Sequence, residues 1–227
     1  MLTVPGLCWL CRMPLALAHW GICSSCARAV PLTVPLCPCC ALPAASRTLP
    51  CGRCLQKPPP WQHMVTVCGY TPPLSMLVHQ MKFSHRPELS QPLARLLLLA
   101  VRDARRTQRL PTPDMLVNVP LWPRRQWQRG YNQSDLLCRR LVHWLGYRYE
   151  PAALRRIRMT RIQHQLSARL RKRNLKNAFR LELPVKGLHM VIVDDVVTTG
   201  STVAEMSQLL LRNGAATVQV WCLCRTL

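Results

Sequence analysis

The chain has 227 residues, with 31 Lys plus Arg against 9 Asp plus Glu and a formal charge of +22. At 49% hydrophobic residues it is too apolar for a disordered polycation, so the charge lies on the outside of a folded body and a histone-like tail is excluded. The longest membrane candidate, Leu96–Val101, is closed by Arg95 and Arg102, far short of the roughly 18 apolar residues that cross a bilayer; it reads as a buried helix.

Met1–Leu10 lacks the basic start of an export signal, and Cys8 and Cys11 stand where its apolar core would be, so a cytoplasmic protein with no membrane span is expected. In a reducing compartment 13 cysteines point to metal rather than disulfides. Four pairs share one spacing: Cys8 with Cys11, Cys23 with Cys26, Cys37 with Cys40, and Cys51 with Cys54. Two intervening residues let both thiolates of a turn face one ion, and two such turns complete a tetrahedron, so eight ligands imply two structural zinc ions in a double zinc ribbon. Sequential pairs share an ion or the pairs interleave; spacing does not choose. Cys39 is a substitute ligand or a spectator, and Cys68, Cys138, Cys222 and Cys224 lack the spacing and read as core.

Lys57-Pro58-Pro59-Pro60 follows as a stiff spacer, dividing a zinc module at 1–57 from an α/β domain at 61–227. Beyond it the pattern predicts an apolar strand near Met64–Tyr70, helices over Pro72–Phe83 and Pro87–Arg106, a strand over Met115–Pro120, a basic loop, and an amphipathic helix over Ser134–Leu145. Residues 151–190 form a basic block (Arg155, Arg156, Arg158, Arg161, Arg169, Arg171, Lys172, Arg173, Lys176, Arg180) with Glu182 as its only acid. The block is either a solvated face or a polyanion-binding one. A strand at His189–Val193, a helix at Ser201–Arg212 stopped by Asn213-Gly214, and a final strand at Thr217–Cys224 complete the chain. Strands alternating with helices predict a mostly parallel sheet with flanking helices.

Chemistry concentrates where the apolar run Val191-Ile192-Val193 meets Asp194 and Asp195, then Val196-Val197-Thr198-Thr199-Gly200-Ser201-Thr202. Open α/β sheets bind ligands beyond the carboxyl ends of their strands, and a helix start offers free backbone N–H groups to an anion. Thr198, Thr199, Gly200, Ser201 and Thr202 therefore suit a phosphate, with Gly200 permitting close approach. Asp194 and Asp195 repel that phosphate and suit the hydroxyls of an attached sugar, or a divalent metal held through its waters. In the basic loop, Arg124, Arg125, Arg129 and Gly130 suit a pyrophosphate, DNA phosphate or plain solvent. Asn132 and Gln133 suit a helix cap, Lys82 a phosphate contact or a helix end, and Trp122 and Trp127 either stack on bases or pack in the core.

The acidic-pair segment resembles the phosphoribosyl-pyrophosphate (PRPP) signature of type I phosphoribosyltransferases. The resemblance implies that fold, with Asp194 and Asp195 on the ribose hydroxyls and on magnesium, Thr198–Thr202 on the 5′-phosphate, and a mobile lid around Gln163, Gln165, Arg169 and Arg173. With the cysteine pairs, Lys82-Phe83, Val119-Pro120-Leu121, Arg124-Arg125, Arg129-Gly130-Tyr131-Asn132-Gln133, Arg173-Asn174 and Ala178-Phe179, nearly the whole chain resembles the ComF/GntX family of bacterial competence and DNA-utilisation proteins. That family implies handling of DNA taken up from outside. The partners expected are PRPP or a related phosphorylated sugar with Mg2+, single-stranded DNA along Arg169, Arg171, Lys172 and Arg173, and inner-membrane uptake machinery. No catalytic residue is assigned. An active phosphoribosyltransferase of unknown acceptor and a zinc-dependent DNA-binding regulator sensing PRPP remain open.

Overall fold

The computed structural model describes residues 6–30, 34–158 and 177–226. Gln163, Gln165, Arg169, Arg171, Lys172, Arg173 and Asn174 lie outside the described residues.

Five strands form one parallel sheet: β1 (His63–Gly69), β2 (Met115–Asn118), β3 (Arg148–Tyr149), β6 (His189–Val197) and β7 (Thr217–Arg225), in the order β1-β7-β6-β2-β3. β6 and β7 lie inside this order and are buried along most of their length, which is why they read as unbroken apolar runs instead of alternating ones. One buried cluster joins Val191, Val193, Trp221 and Leu223 to helices α3 (Leu74–Phe83), α4 (Ser90–Gln108) and α6 (Gln133–Leu145). A second joins Met190, Ile192, Val218 and Val220 to α7 (Ser201–Arg212). α4 buries Leu93, Leu96, Leu97, Val101 and Ala104, the three-and-four spacing of one helix face. α7 stops at Asn213, and Gly214 takes φ +90°, where its amide donates to Leu211 O.

The structure corrects two expectations. The basic segment is a helix, α5 (Pro123–Arg129), opened by Pro123 and closed by Gly130 at φ +78°. β6 does not end at Val193: Val196 and Val197 pair with Cys224 and Arg225 of β7, so the two carboxylates stand within the strand. The basic block also holds an antiparallel pair, β4 (Leu154–Arg156) with β5 (Phe179–Leu181). There Arg155, Arg158 and Arg180 are exposed and Arg156 lies over the Phe179 ring at 5.7 Å.

The cysteines form two copies of one unit. In each, the first pair sits in a tight turn, with Cys8 N donating to Met13 O and Cys37 N to Leu42 O, and Arg12 and Ala41 take the left-handed conformation just after it. In each, the second pair opens a short helix, α1 (Ser24–Ala29) after Cys23 and α2 (Gly52–Gln56) after Cys51. The first unit rests on α4: Arg95 Nη1 donates to Ile22 O at 2.9 Å and its guanidinium lies 4.0 Å from the Trp20 ring centre. Among the described residues no helix is long and apolar enough to cross a membrane.

Candidate functional site

Successive residues of a strand point to opposite sides, so the two carboxylates of β6 leave in different directions. Asp195, buried, meets Lys82 Nζ at 2.9 Å, and its other oxygen accepts the Val196 amide at 2.7 Å. Asp194, half-buried, accepts the Ser134 hydroxyl at 3.1 Å and the Asp195 amide at 2.9 Å through Oδ1. Burial, then the charge of Asp195, pushes the Asp194 carboxyl up to about 7 against the opposing pull of Lys82. Burial alone would lower the Lys82 ammonium, but Asp195, seconded by Asp194, holds it above its ordinary value. A raised carboxyl beside a second acid is an arrangement that a cation or hydroxyl donors would relieve.

Immediately beyond β6 the chain turns through Thr198 and Thr199, both exposed, to Gly200 at φ +77°, which opens α7. Gly200 has no side chain to cap this helix; Thr199 Oγ1 accepts the Ser201 amide at 3.4 Å, and the amides that follow in the first turn have no acceptor within the helix. Thr199 Oγ1 and Ser201 Oγ lie 2.8 Å apart, so two hydroxyls flank the same bend. Amides, hydroxyls and the positive helix end could together hold an anion there.

On α5 the arginines separate. Arg129 Nη1 donates to Gln133 Oε1 at 2.7 Å, its guanidinium lies 5.4 Å from the Phe83 ring centre, and although burial lowers it, the charge of Asp195 acts in the opposite sense. It thus stands at the acidic pair beside Lys82-Phe83. Arg124 and Arg125 are exposed, as is Trp127 at 85%, so packing in the core does not account for that indole. Asn132 caps α6, accepting the Ser134 amide at 3.0 Å.

The cysteine groups resolve into Cys8, Cys11, Cys23, Cys26 and Cys37, Cys40, Cys51, Cys54, each set of sulfurs lying within 4.8 Å of one another. Sequential pairs therefore come together, and Cys39 stays out of both sets. Tetrahedral zinc at about 2.3 Å from each sulfur puts sulfurs about 3.8 Å apart; Cys11–Cys23, Cys37–Cys54 and Cys40–Cys51 stand at 3.8, 3.9 and 3.7 Å. Burial would raise the Cys8 and Cys37 thiols, yet backbone N–H groups outweigh it and bring them to about 6 and about 7. Burial together with neighbouring cysteines drives Cys26 up to about 12, and burial foremost takes Cys40 to about 11. Four thiols cannot ionise together in one small volume without a cation, and these donors fit one.

Sequence reasoning did not assign Ser134, whose place two residues after a helix cap was the available signal. It also missed the open cavity of about 620 Å³ between α5, α6 and β4, lined by Asn118, Gln126, Asn132, Asp135, Arg139 and Arg155 among others.

A family model described as "Phosphoribosyl transferase domain" matches residues 154–227. DNA utilization protein YhgH of Salmonella typhi is 73% identical over 227 residues, all of both chains, and that of Escherichia coli (strain K12) is 70% identical over the same length. Competence protein F of Haemophilus influenzae is 42% identical over 223 residues, 96% of each chain. Among solved structures, the glutamine PRPP amidotransferase from B. subtilis complexed with ADP and GMP aligns with a TM-score of 0.42 at 20% identity, covering 63% of this chain and 30% of that one.

Proposed function

This chain belongs to the ComF family of competence and DNA-utilization proteins, and from that premise we propose that it is a cytoplasmic factor for the use of DNA taken up from outside. On this reading it binds PRPP or a related phosphorylated sugar with Mg2+ at the β6–α7 junction and single-stranded DNA on its arginine surface. The observation that carries the proposal is the succession, within nine residues of backbone, of the paired Asp194 and Asp195, the two threonines and the start of α7. Asp194 and Asp195 hold the ribose hydroxyls and the waters of Mg2+, Thr198–Thr202 hold the 5′-phosphate, and Arg129 with Gly130 faces the pyrophosphate. Two zinc ions in the cysteine units are structural, since four thiolates leave no position for water. With +22 net charge, DNA binding follows the backbone and weakens with salt. The basic segment Arg169–Arg173 and the uptake machinery of the inner membrane belong to the same proposal.

A paired binding assay on metal-loaded protein tests it, with Mg-PRPP and single-stranded DNA offered separately and together. The Asp194→Asn/Asp195→Asn variant should lose Mg-PRPP and retain DNA. Loss of both by a folded variant would mean one shared site, and unaltered Mg-PRPP affinity would remove the acids from the proposal. One observation favours a second reading, an active phosphoribosyltransferase: the open cavity lined by Asn118, Asn132 and Asp135 offers room for an acceptor. Release of pyrophosphate from PRPP in the presence of candidate bases would support it.

A further inference from the structure

We propose that the second cysteine cluster is the footing of the phosphate loop, and that Trp61 and Arg225 are the positioning residues carrying its geometry to Gly200 and Val197. The inference deepens the reading of that loop as a sugar-phosphate site. The turn between Cys37 and Cys40 offers three consecutive carbonyls to the α/β body. Pro38 O accepts the Met64 amide at 2.8 Å, Cys39 O accepts Trp61 Nε1–H at 2.6 Å, and Cys40 O accepts Arg225 Nε–H at 3.1 Å.

Two of those donors reach the loop within a single side chain. The Trp61 ring, buried at 8% exposure, lies so close under Gly200 that a Cβ there would stand 3.3 Å from it. Arg225 sends Nη1 to Val197 O at 3.0 Å, and the Thr226 amide donates to that carbonyl at 3.1 Å. Val197 is the residue from which the bend departs and Gly200 the one from which α7 begins, so both ends of the turn rest on the cluster.

A bound metal fixes the backbone of its own turn, and groups hydrogen-bonded to that turn inherit the constraint. An anion cradle of amides works only when the amides are held before the ligand arrives. The first cluster is placed otherwise, its contacts running through Ile22 and His19 to Arg95 and Gln91 of α4. Cys39, which ligates nothing, thus acts through its carbonyl. By linkage, a ligand that prefers the ordered loop must also tighten binding of the metal that orders it.

The test uses the full-length, metal-loaded protein, with ribose 5-phosphate as probe and amide hydrogen exchange as a readout independent of any ligand. Trp61→Phe keeps a ring but removes the donor to Cys39, and Arg225→Met removes the clamp on Val197. Each should keep two metal ions, exchange at least tenfold faster over residues 198–202, exchange as native over 191–193, and bind ribose 5-phosphate about tenfold more weakly. Arg95→Met, at the first cluster, should leave loop exchange unchanged. Native loop exchange in both variants with metal retained would overturn the proposal.

If either variant loses metal, equilibrium competition of the native protein with a chromogenic chelator decides instead. Saturating ribose 5-phosphate should raise the affinity for one of the two ions at least fivefold and not for the other, and unchanged or equally raised affinities would overturn the coupling. Failure of the native protein to bind ribose 5-phosphate would sink the sugar-phosphate reading, while the exchange data would still decide whether the cluster orders the loop.

Discussion

Lys82 Nζ stands 2.9 Å from the Asp195 carboxylate, with the two side chains 21% and 8% exposed. The pair joins the end of α3 to β6, and without it a buried ionised acid would be left with the Val196 amide and the more distant charge of Arg129. Lys82→Met should therefore destabilise the protein by about 3 kcal/mol in urea unfolding at neutral pH, the cost of leaving a buried charge without its partner. Lys82→Met combined with Asp195→Asn should recover most of that loss. An additive double variant would show that the two groups do not depend on each other.

Asp194 makes stability depend on pH. Its carboxyl is raised from 3.8 to about 7, so between those values the folded chain keeps a proton that the unfolded chain has lost. The associated stabilisation is full below pH 4, declines as pH rises and is gone once pH passes 7. Asp194→Asn should flatten that decline and gain on the order of 2 kcal/mol over the native protein at pH 8, less than the full shift would give because the carboxyl keeps some access to water. The same variant should lose Mg-PRPP, whose own native affinity should rise with pH through 7 as the cation displaces the proton. Urea midpoints at pH 5 to 8 check the first statement and titration calorimetry the second.

Much of this arrangement was legible in the residues. β1, β6 and β7 announce themselves as apolar runs because the sheet is covered on both faces, and the cysteine spacing yields both clusters because ligand geometry is local. α5 escaped because Arg124, Arg125, Gln126 and Gln128 leave it no apolar stripe; its signs were Pro123 at the start and Gly130 at the end. The position of the acids inside β6 escaped because a charged pair looks like the end of a buried strand, whereas pairing with β7 carries the strand on to Val197. Strands of two and three residues, such as β3, β4 and β5, are too short to show a period. The Lys82–Asp195 and Arg225–Cys40 contacts join positions far apart in the chain, and only the folded sheet brings them together.

Gly200 carries two constraints at once. Its φ of +77° disfavours any side chain, and the Trp61 ring occupies the space a Cβ would need. Gly200→Ala should cost at least about 1–2 kcal/mol from backbone conformation alone. It should weaken ribose 5-phosphate binding more than the drop in unfolding midpoint would suggest, because the strain falls on the loop amides. Gly146, also at positive φ but with open space around it, supplies the control: Gly146→Ala should destabilise comparably and leave binding intact.

Helices α1 and α2, of six and five residues, are far too short to persist on their own, so the cysteine units should depend on metal for their shape. Purified protein should carry two zinc ions per chain, and Cys11→Ser should reduce this to about one. Chelation should expose α4 where Gly21 and Ile22 cover Pro92 and Arg95, seen as faster amide exchange along residues 90–98. One ion per native chain would contradict two units.

Trp127 is 85% exposed on a helix that also exposes Arg124 and Arg125, an indole face beside guanidinium groups on a strongly basic chain. Water is a poor neighbour for so large a ring, and an unpaired base offers it a flat partner whose phosphates the arginines neutralise. Trp127→Ala should weaken single-stranded DNA binding by about 1–3 kcal/mol for the one base it stacks, while leaving the salt dependence as it was. Arg124→Ala/Arg125→Ala should do the reverse, lowering the slope of log affinity against log salt by about 0.7 for each phosphate no longer neutralised. Both variants should unfold within about 0.5 kcal/mol of the native protein, since these side chains lie on the surface. DNA affinity and salt slope that are native in both would place the nucleic-acid surface away from α5.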